Sequence, residues 1–312
     1  MTTPDVSVVL LTKNGMQTLP VVIAALGRQQ TRLSVEVVAV DSGSTDGTVE
    51  FLRSRVDRVL TIPQASFNHG TTRNLAIAES RGDLVVLLVQ DAVPLDASWL
   101  DRLTAPLMQD PAVAGAFCRQ QPHVGAGAIT RAYLGRWFAS GTTARRVSMS
   151  REALRALPPL ERLDRCTFDN VCACIRRTVW LTHPFSPTVI AEDLEWSRQV
   201  LEAGHTVAYV PDAAVEHSHD RSAWYEFART VLLHRRLFEL FEVRTIPTLS
   251  ALLTSVLSTA KWHWQLTRTA TPPEPARACL RGLALAVAWP CGQYLGGLSA
   301  AKRWRPLRFR GV

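Results

Sequence analysis

The residues able to do chemistry fall in a few short stretches. Ala191-Glu192-Asp193-Leu194-Glu195-Trp196 places three carboxylates within four residues. Apolar runs climb into single aspartates at VEVVAVD and LVVLLVQD, ending on Asp41 and Asp91. His217 and His219 close the stretch TVAYVPDAAVEHSH, and Arg73 lies in FNHGTTRN. Carboxylates accept a proton from a hydroxyl or hold a hard divalent cation, and an imidazole nitrogen can complete the cation's shell. A guanidinium suits phosphate, because its fork matches the oxygens. Each pattern also has a plainer reading. An acid after a strand is often a turn former, acids at a helix start favour its dipole, and an H-x-H pair is often an exposed strand end. Neither G-x-G-x-x-G nor G-x-x-x-x-G-K-[ST] is present, so no glycine-rich phosphate cradle is expected. A diphosphate bound here calls for a metal ion to neutralise it.

Those residues need elements that bring them together. VSVVLL (6–11) is a continuous apolar run, as expected of a parallel strand buried on both faces. After TKNG, Leu19, Val22, Ile23 and Leu26 recur at helical spacing. VEVVAV (35–40) is the next strand, and SGSTDG leads into a helix from about Thr48 to Arg55 with Asp46 as its N-cap. VDRVLTI (56–62) reads as a short strand, FNHGTTRN opens a helix burying Leu75, Ile77 and Ala78, and LVVLLV (84–89) is a third strong strand. Repeated strand–helix–strand units predict an α/β chain with a doubly wound, mostly parallel sheet flanked by helices. Ligands of such sheets sit at the carboxyl ends of the strands, where TKNG, Asp41 and Asp91 fall. Residues 119–168 are poor in strand signals, and RQQPHVGAGAITRAYLGRWF reads as a lid or acceptor-facing segment. A helix begins near Glu192 with Leu194, Val200 and Leu201 at helical spacing, and an amphipathic helix spans 222–241.

At 312 residues and 47% hydrophobic content, the chain can bury one sizeable core and a further element. Of six cysteines only Cys172-x-Cys174 is close-spaced, so no second pair completes a zinc site, and these two read as packing residues. MTTPDVSVVLLTKN has no basic region before its short apolar run, so a cytoplasmic protein with reduced thiols is expected. The net charge of +8 is uneven: residues 244–312 hold ten Lys/Arg against one acid, Glu274, and so carry +9. That predicts an anionic membrane surface as partner, and no nucleic acid, since no nucleic-acid-binding motif accompanies the charge. Residues 282–301 are uncharged but contain Pro290, Gln293 and four glycines. They favour association in the membrane plane over a spanning or re-entrant helix, with a soluble helical or oligomer-forming segment as the other option. Trp262, Trp264, Trp289 and Trp304 beside Lys/Arg look like interfacial anchors.

Four stretches in this order, SVVLLTKNG, VVAVDSGSTDGT, FNHGTTRNLAIAESRGDLVVLLVQDAVP and IAEDLEWSRQVLEAGHTVAYVPDAAVEHSH, resemble the family 2 glycosyltransferases of the GT-A fold. They look most like the bacterial rhamnosyltransferase branch. The resemblance implies a GT-A catalytic domain over residues 1–243 and a basic helical tail over 244–312. It implies that Asp41 accepts a hydrogen bond from the nucleotide base, that Thr12, Lys13 and Asn14 pack around base and ribose, and that Arg73 contacts the nucleotide or its phosphate. The family's metal loop is usually D-x-D, whereas Gln90-Asp91-Ala92 keeps one carboxylate. Asp91 is then the main ligand of Mg²⁺ or Mn²⁺, with Gln90 on the ribose or weakly on the ion. His217 supplies the further ligand, and His219 neighbours it, since i and i+2 share a face along a strand. Asp193 takes the base's role and Glu192 a supporting one, while Asp169 and Asn170, with His219, are acceptor-side candidates. One carboxylate base and a metal-bound diphosphate leaving group imply displacement with inversion.

The expected activity is transfer of L-rhamnose from dTDP-rhamnose to a lipid-linked surface polysaccharide, by a protein peripheral on the cytoplasmic membrane face. The same residues leave open another UDP-, dTDP- or GDP-sugar, or, given the single carboxylate, a non-catalytic nucleotide-sugar-binding assembly protein.

Overall fold

The computed structural model describes residues 3–270, 276–305, 307 and 309. Glu274, Arg308 and Arg310 of the expected basic tail lie outside the described residues. The chain forms two compact units: residues 1–121, 137–157 and 165–217, and residues 122–136, 158–164 and 218–312.

The first unit holds one sheet of β1 (Val6–Thr12), β2 (Val35–Asp41), β3 (Arg58–Thr61), β4 (Leu84–Val89), β5 (Val93–Pro94), β6 (Val113–Gln121), β7 (Arg145–Val147), β8 (Cys172–Arg176) and β9 (Thr206–Glu216). Their order is β3-β2-β1-β4-β8-β6-β9-β5, with β7 also on β9. β1 to β4 are parallel, as are β6 and β9. β8 runs against β4 and β6, and β5 and β7 run against β9. Six strands therefore bring their carboxyl ends to one rim. The reversed β8 brings its amino end, and the residues just before it, to the same rim.

In chain order the helices are α1 (Leu19–Gly27), α2 (Thr48–Arg53), α3 (His69–Ala78), α4 (Trp99–Gln109), α5 (Ala128–Leu134), α6 (Arg151–Ala156), α7 (Pro159–Arg165), α8 (Arg177–Thr182), α9 (Glu192–Glu202), α10 (Ala223–Phe241), α11 (Leu249–Thr269) and α12 (Ala276–Ala301). The core of the first unit joins Val8 and Leu10 of β1, Val86 and Leu88 of β4, Trp99 and Leu103 of α4, and Cys172 and Cys174 of β8. Burial pushes both thiols up, as suits packing residues.

Three local expectations shift. The α2 cap is Gly47, at φ +89°, and Asp46 accepts the Thr48 amide from one residue earlier. Asp46 stands back because its other oxygen takes the Met16 amide across the loop. On α3 the buried face runs Gly70, Arg73, Ala76 and Ile77, while Ala78 is exposed. The apolar pattern missed that phase because an arginine belongs to the inner face. β6 lacks a strand signal because Ala114-Gly115-Ala116 carries no large β-former. A Cβ on Gly115 would come within 2.9 Å of the Trp196 ring and 3.1 Å of Phe168.

The second unit is helical, and its last and longest segment begins at Ser218, not at the residue 244 expected from charge. The reason is that α10 and α12 share a tight seam. A Cβ on Gly296 would fall 2.5 Å from the Val231 carbonyl oxygen, and one on Gly292 2.8 Å from Thr230. Gly297 faces only the Arg244 side chain, at 3.4 Å. Gly296→Ala should therefore lower the melting temperature, by the equivalent of about 1–3 kcal/mol. Gly297→Ala should raise it slightly, since Ala is a better helix former by about 1 kcal/mol. Thermal melts followed by circular dichroism check both.

Trp262 and Trp289 are not anchors at a free surface, because their rings pack 4.9 and 4.1 Å from that of Tyr133 in α5. Trp264 and Trp304 are about half exposed. Leu249, Leu253 and Leu257 form an exposed stripe at four-residue spacing on α11. Among the described residues no helix is long and apolar enough to cross a membrane.

Candidate active site

β1 and β2 deliver Thr12 and Asp41 side by side at the rim. The Thr12 hydroxyl donates to Asp41 Oδ2 (3.0 Å), and Asp41 Oδ1 accepts the Gly43 and Ser44 amides (2.9 and 2.8 Å). The Ser44 hydroxyl also donates to Oδ2. Asp41 is fully buried and organises the SGS turn. A base N–H reaching Oδ2 has to displace the Ser44 hydroxyl. The Lys13 ammonium donates to the Ser42 and Gly43 carbonyls. Asn14, at φ +47°, donates its amide to Ser44 Oγ (2.7 Å) and accepts the Thr45 amide on its side chain (2.9 Å). The structure thus brings Thr12, Lys13, Asn14 and Asp41 into one loop cluster.

Gln90 joins that cluster in a way its sequence position does not suggest. Its Oε1 accepts the Lys13 amide (2.8 Å) and its Nε2 donates to the Lys13 carbonyl (3.1 Å). Both ends of the amide hydrogen-bond to main chain, so Gln90 fixes the β1 loop. Gly15 leaves the space, since a Cβ there would lie 2.8 Å from Gln90 Oε1.

Arg73 is also turned inward. Its Nη1 lies 2.6 Å from Glu192 Oε1, and both side chains are buried. A buried carboxylate without a cation is costly, which explains why this guanidinium serves an acid 119 positions away. Asn170 Nδ2 donates to the same Oε1 (3.3 Å).

The two adjacent acids at the start of α9 are driven in opposite directions. Burial by itself pushes Glu192 up, but Arg73, His69 and the Asn170 hydrogen bond outweigh it and hold the carboxyl below its usual range. Burial, then the charges of Glu192 and Asp169, push Asp193 up to about 8. The Leu194 amide (2.8 Å) and the Asn170 amide (3.4 Å) donate to Asp193, which stays half-buried and reachable. Neighbouring acids whose environments pull them apart can take different roles in proton transfer. Ala191, just before them, sits at φ +60°, ψ 32°. For a residue with a Cβ this left-handed turn costs about 1–2 kcal/mol, and such strain collects at functional sites.

Across the rim, Asp91 follows β4 and His217 follows β9. Asp91 Oδ1 and His217 Nε2 are 3.6 Å apart. That is too far for a good hydrogen bond but fits two donors each about 2.1 Å from one small cation. The carboxylate oxygen suits Mg²⁺ or Mn²⁺. β9 ends at Glu216, so strand geometry does not govern His219, which belongs to the last segment of the second unit.

Two residues that sequence reasoning missed complete the site. Gln120, at the end of β6, donates to Asp169 Oδ2 (2.5 Å) and faces His217 Nδ1 with its oxygen (2.9 Å). The Trp137 indole also donates to Asp169 Oδ2 (3.1 Å). Nothing in RQQPHV or GRWFAS marks either; the parallel pairing of β6 with β9 brings Gln120 to His217, and the Trp137 indole is found only by its hydrogen bond to Asp169.

Residues 7–176 match the family described as Glycosyl transferase family 2. The chain is 30% identical over 231 residues to the O-antigen chain rhamnosyltransferase RfbN of Salmonella typhimurium, which covers 72% of this chain and 69% of that protein. It is 31% identical over 205 residues to the O-antigen chain rhamnosyltransferase WbaN of Salmonella anatum, covering 65% of this chain and 62% of the relative. Among solved structures, the mannosyltransferase PcManGT from Pyrobaculum calidifontis, in complex with GDP-Man and Mn²⁺, superposes with a TM-score of 0.55. That match covers 98% of this chain and 77% of the other at 17% identity, and so speaks to fold alone. With its mixed, mostly parallel sheet and flanking helices, the chain belongs to glycosyl transferase family 2 and has the GT-A fold.

Proposed function

We propose that the protein is a metal-dependent, inverting glycosyltransferase acting from a nucleoside-diphosphate sugar onto a glycan hydroxyl. The observation that carries this reading is Asp193, a reachable carboxyl pushed up to about 8, on the rim that also holds the Asp91–His217 pair. Asp193 accepts the acceptor's proton as the new bond forms, because a hydroxyl is far too weak an acid to lose it beforehand. Glu192, held ionised by Arg73, keeps the base basic and orients Asn170. Asp91 and His217 would hold Mg²⁺ or Mn²⁺, which when bound neutralises charge on the departing diphosphate. Thr12, Lys13, Asn14 and Asp41 shape the seat of base and ribose. Asp169 and Asn170 line the acceptor side.

The relatives' names, O-antigen chain rhamnosyltransferases, support rhamnose as the sugar and a surface polysaccharide as acceptor; dTDP-rhamnose is the donor this reading expects. The basic chain beyond residue 243 and the exposed leucine stripe of α11 support a lipid-linked acceptor and a place on the cytoplasmic membrane face. Calorimetry with Mn²⁺ and a panel of nucleotide sugars tests the donor. The expected result is tightest binding of dTDP-rhamnose; tighter binding of a UDP- or GDP-sugar would reassign it. Binding without transfer to any glycan would favour the assembly-protein reading. The membrane surface is tested by Leu253→Glu with Leu257→Glu. This pair should lower sedimentation with anionic vesicles several-fold while leaving the α10–α12 seam intact.

A further inference from the structure

We infer that Gln120 is a positioning residue that fixes the tautomer of His217, so that Nε2 presents its lone pair to the cation held with Asp91. The inference rests on the metal reading above and adds a residue that neither motif nor spacing reveals.

The chain of donors and acceptors runs from Asp169. Its two oxygens take the Trp137 indole N–H (3.1 Å) and the Val171 amide (2.9 Å). Both groups can only donate, so the carboxylate meets Gln120 as an acceptor. Gln120 must then turn its NH₂ toward Asp169 Oδ2, at 2.5 Å. Its oxygen is left facing His217 Nδ1, at 2.9 Å. An amide oxygen accepts and never donates, so the imidazole proton belongs on Nδ1. Nε2 then carries no proton, 3.6 Å from Asp91 Oδ1. The other tautomer would point an N–H where the cation must sit.

Local structure holds the relay in place. Gln120 pairs with Val215 in the parallel β6–β9 register, and the His217 amide donates to the Gln121 carbonyl (2.8 Å). Gln120 is buried, so water does not compete for its amide. Ligating histidines usually donate their second N–H straight to a carboxylate or carbonyl. Here the carboxylate acts at one remove. The interposed amide leaves Asp169 near enough to Asp193 for its charge to keep that group proton-seeking. One buried acid thus serves both halves of the reaction.

The test uses the full-length protein labelled with ¹⁵N-histidine, at pH 8, above the ordinary imidazole range. The His217 signal is the one missing from His217→Gln. It should show the Nδ1–H tautomer in the wild type. Gln120→Leu removes the acceptor and should shift it toward Nε2–H, whereas Gln120→Glu keeps an acceptor and should retain the wild-type signature. In parallel, Mn²⁺ affinity in the presence of dTDP should fall about 10–100-fold in Gln120→Leu, the usual effect of losing a ligand's outer partner. In Gln120→Glu it should stay within a few-fold. Should Gln120→Leu not fold, Asp169→Asn carries the same test, because it no longer dictates which way the amide turns and should mix the tautomers. An unchanged tautomer in both variants overturns the inference. So does unchanged Mn²⁺ affinity in Gln120→Leu when His217→Gln has lost it. If His217→Gln itself keeps full Mn²⁺ affinity, the metal reading falls and this inference with it.

Discussion

Asp193→Asn lowers turnover by about 10²–10⁴-fold, the usual cost of removing a general base, and at the same time raises the melting temperature. The second half separates this account from the plain one, in which acids at a helix start merely favour its dipole and their loss weakens the fold. Folded Asp193 keeps its proton up to about pH 8, while the unfolded carboxyl releases it near 3.8. Between those values the folded state binds the extra proton, so stability contributed by this group falls as pH rises, and the deficit is complete above 8. Asn never ionises and removes the deficit. The gain should be absent near pH 4 and reach on the order of 1–3 kcal/mol at pH 8, below the full 1.4 kcal/mol per unit because water reaches the half-buried carboxylate. Glu192→Gln has the opposite sign. Its folded carboxyl lies below 4.5, so its contribution is present above that value and is lost as pH falls; the variant leaves Arg73 without its counter-charge and should melt earlier at neutral pH. Wild-type kcat/KM should climb about tenfold per unit below pH 8 and then level, and the climb should vanish in Asp193→Asn. Near-wild-type turnover, or an earlier melt, in Asp193→Asn sinks the assignment of the base.

Asp91→Ala and His217→Ala should each abolish the metal-dependent part of nucleotide-diphosphate binding. Many metal loops spread the ion over two carboxylates, but Gln90 is spent on the Lys13 peptide, so no second oxygen of this loop makes up the loss. Removal of an outer partner alone typically costs about 10–100-fold, and loss of a direct ligand should exceed that. Titration of dTDP with and without Mn²⁺ reads it out. Equal affinity with Mn²⁺ in the wild type and Asp91→Ala would remove that residue from the ion.

What could be read from the sequence and what could not divide along one line. β1, β2 and β4 were legible because each is a mostly apolar run that leads into a polar residue, Thr12, Asp41 or Gln90, and their parallel order places Thr12, Asp41 and Asp91 on one rim. The acids of α9 were legible because Leu194, Val200 and Leu201 follow at helical spacing. Side-chain pairing across long separations was not. Arg73 reads as a phosphate ligand until Glu192 is seen to need a cation, and Gln90 reads as a ribose contact until Gly15 is seen to admit it to the β1 loop. Gln120 was invisible because small residues in β6 hide the strand that carries it. Nor does charge locate the second unit, whose α10–α12 seam is made by glycines and not by lysines or arginines.

The division of the chain into alternating segments bears on how the molecule is made. Residues 122–136 belong to the second unit, yet they leave the ribosome long before α11 and α12 exist. Tyr133, whose hydroxyl meets His263 Nε2 at 3.1 Å, waits for a partner 130 residues downstream. At about 5–20 residues per second, that wait lasts roughly 7–26 s, during which α5 has neither Trp262 nor Trp289 to cover it. The first unit is likewise incomplete until β9 emerges and supplies His217. The second unit waits longer, until α11 and α12 have emerged, so a chain that stalls before residue 217 leaves both the sheet rim and the aromatic cluster unmade.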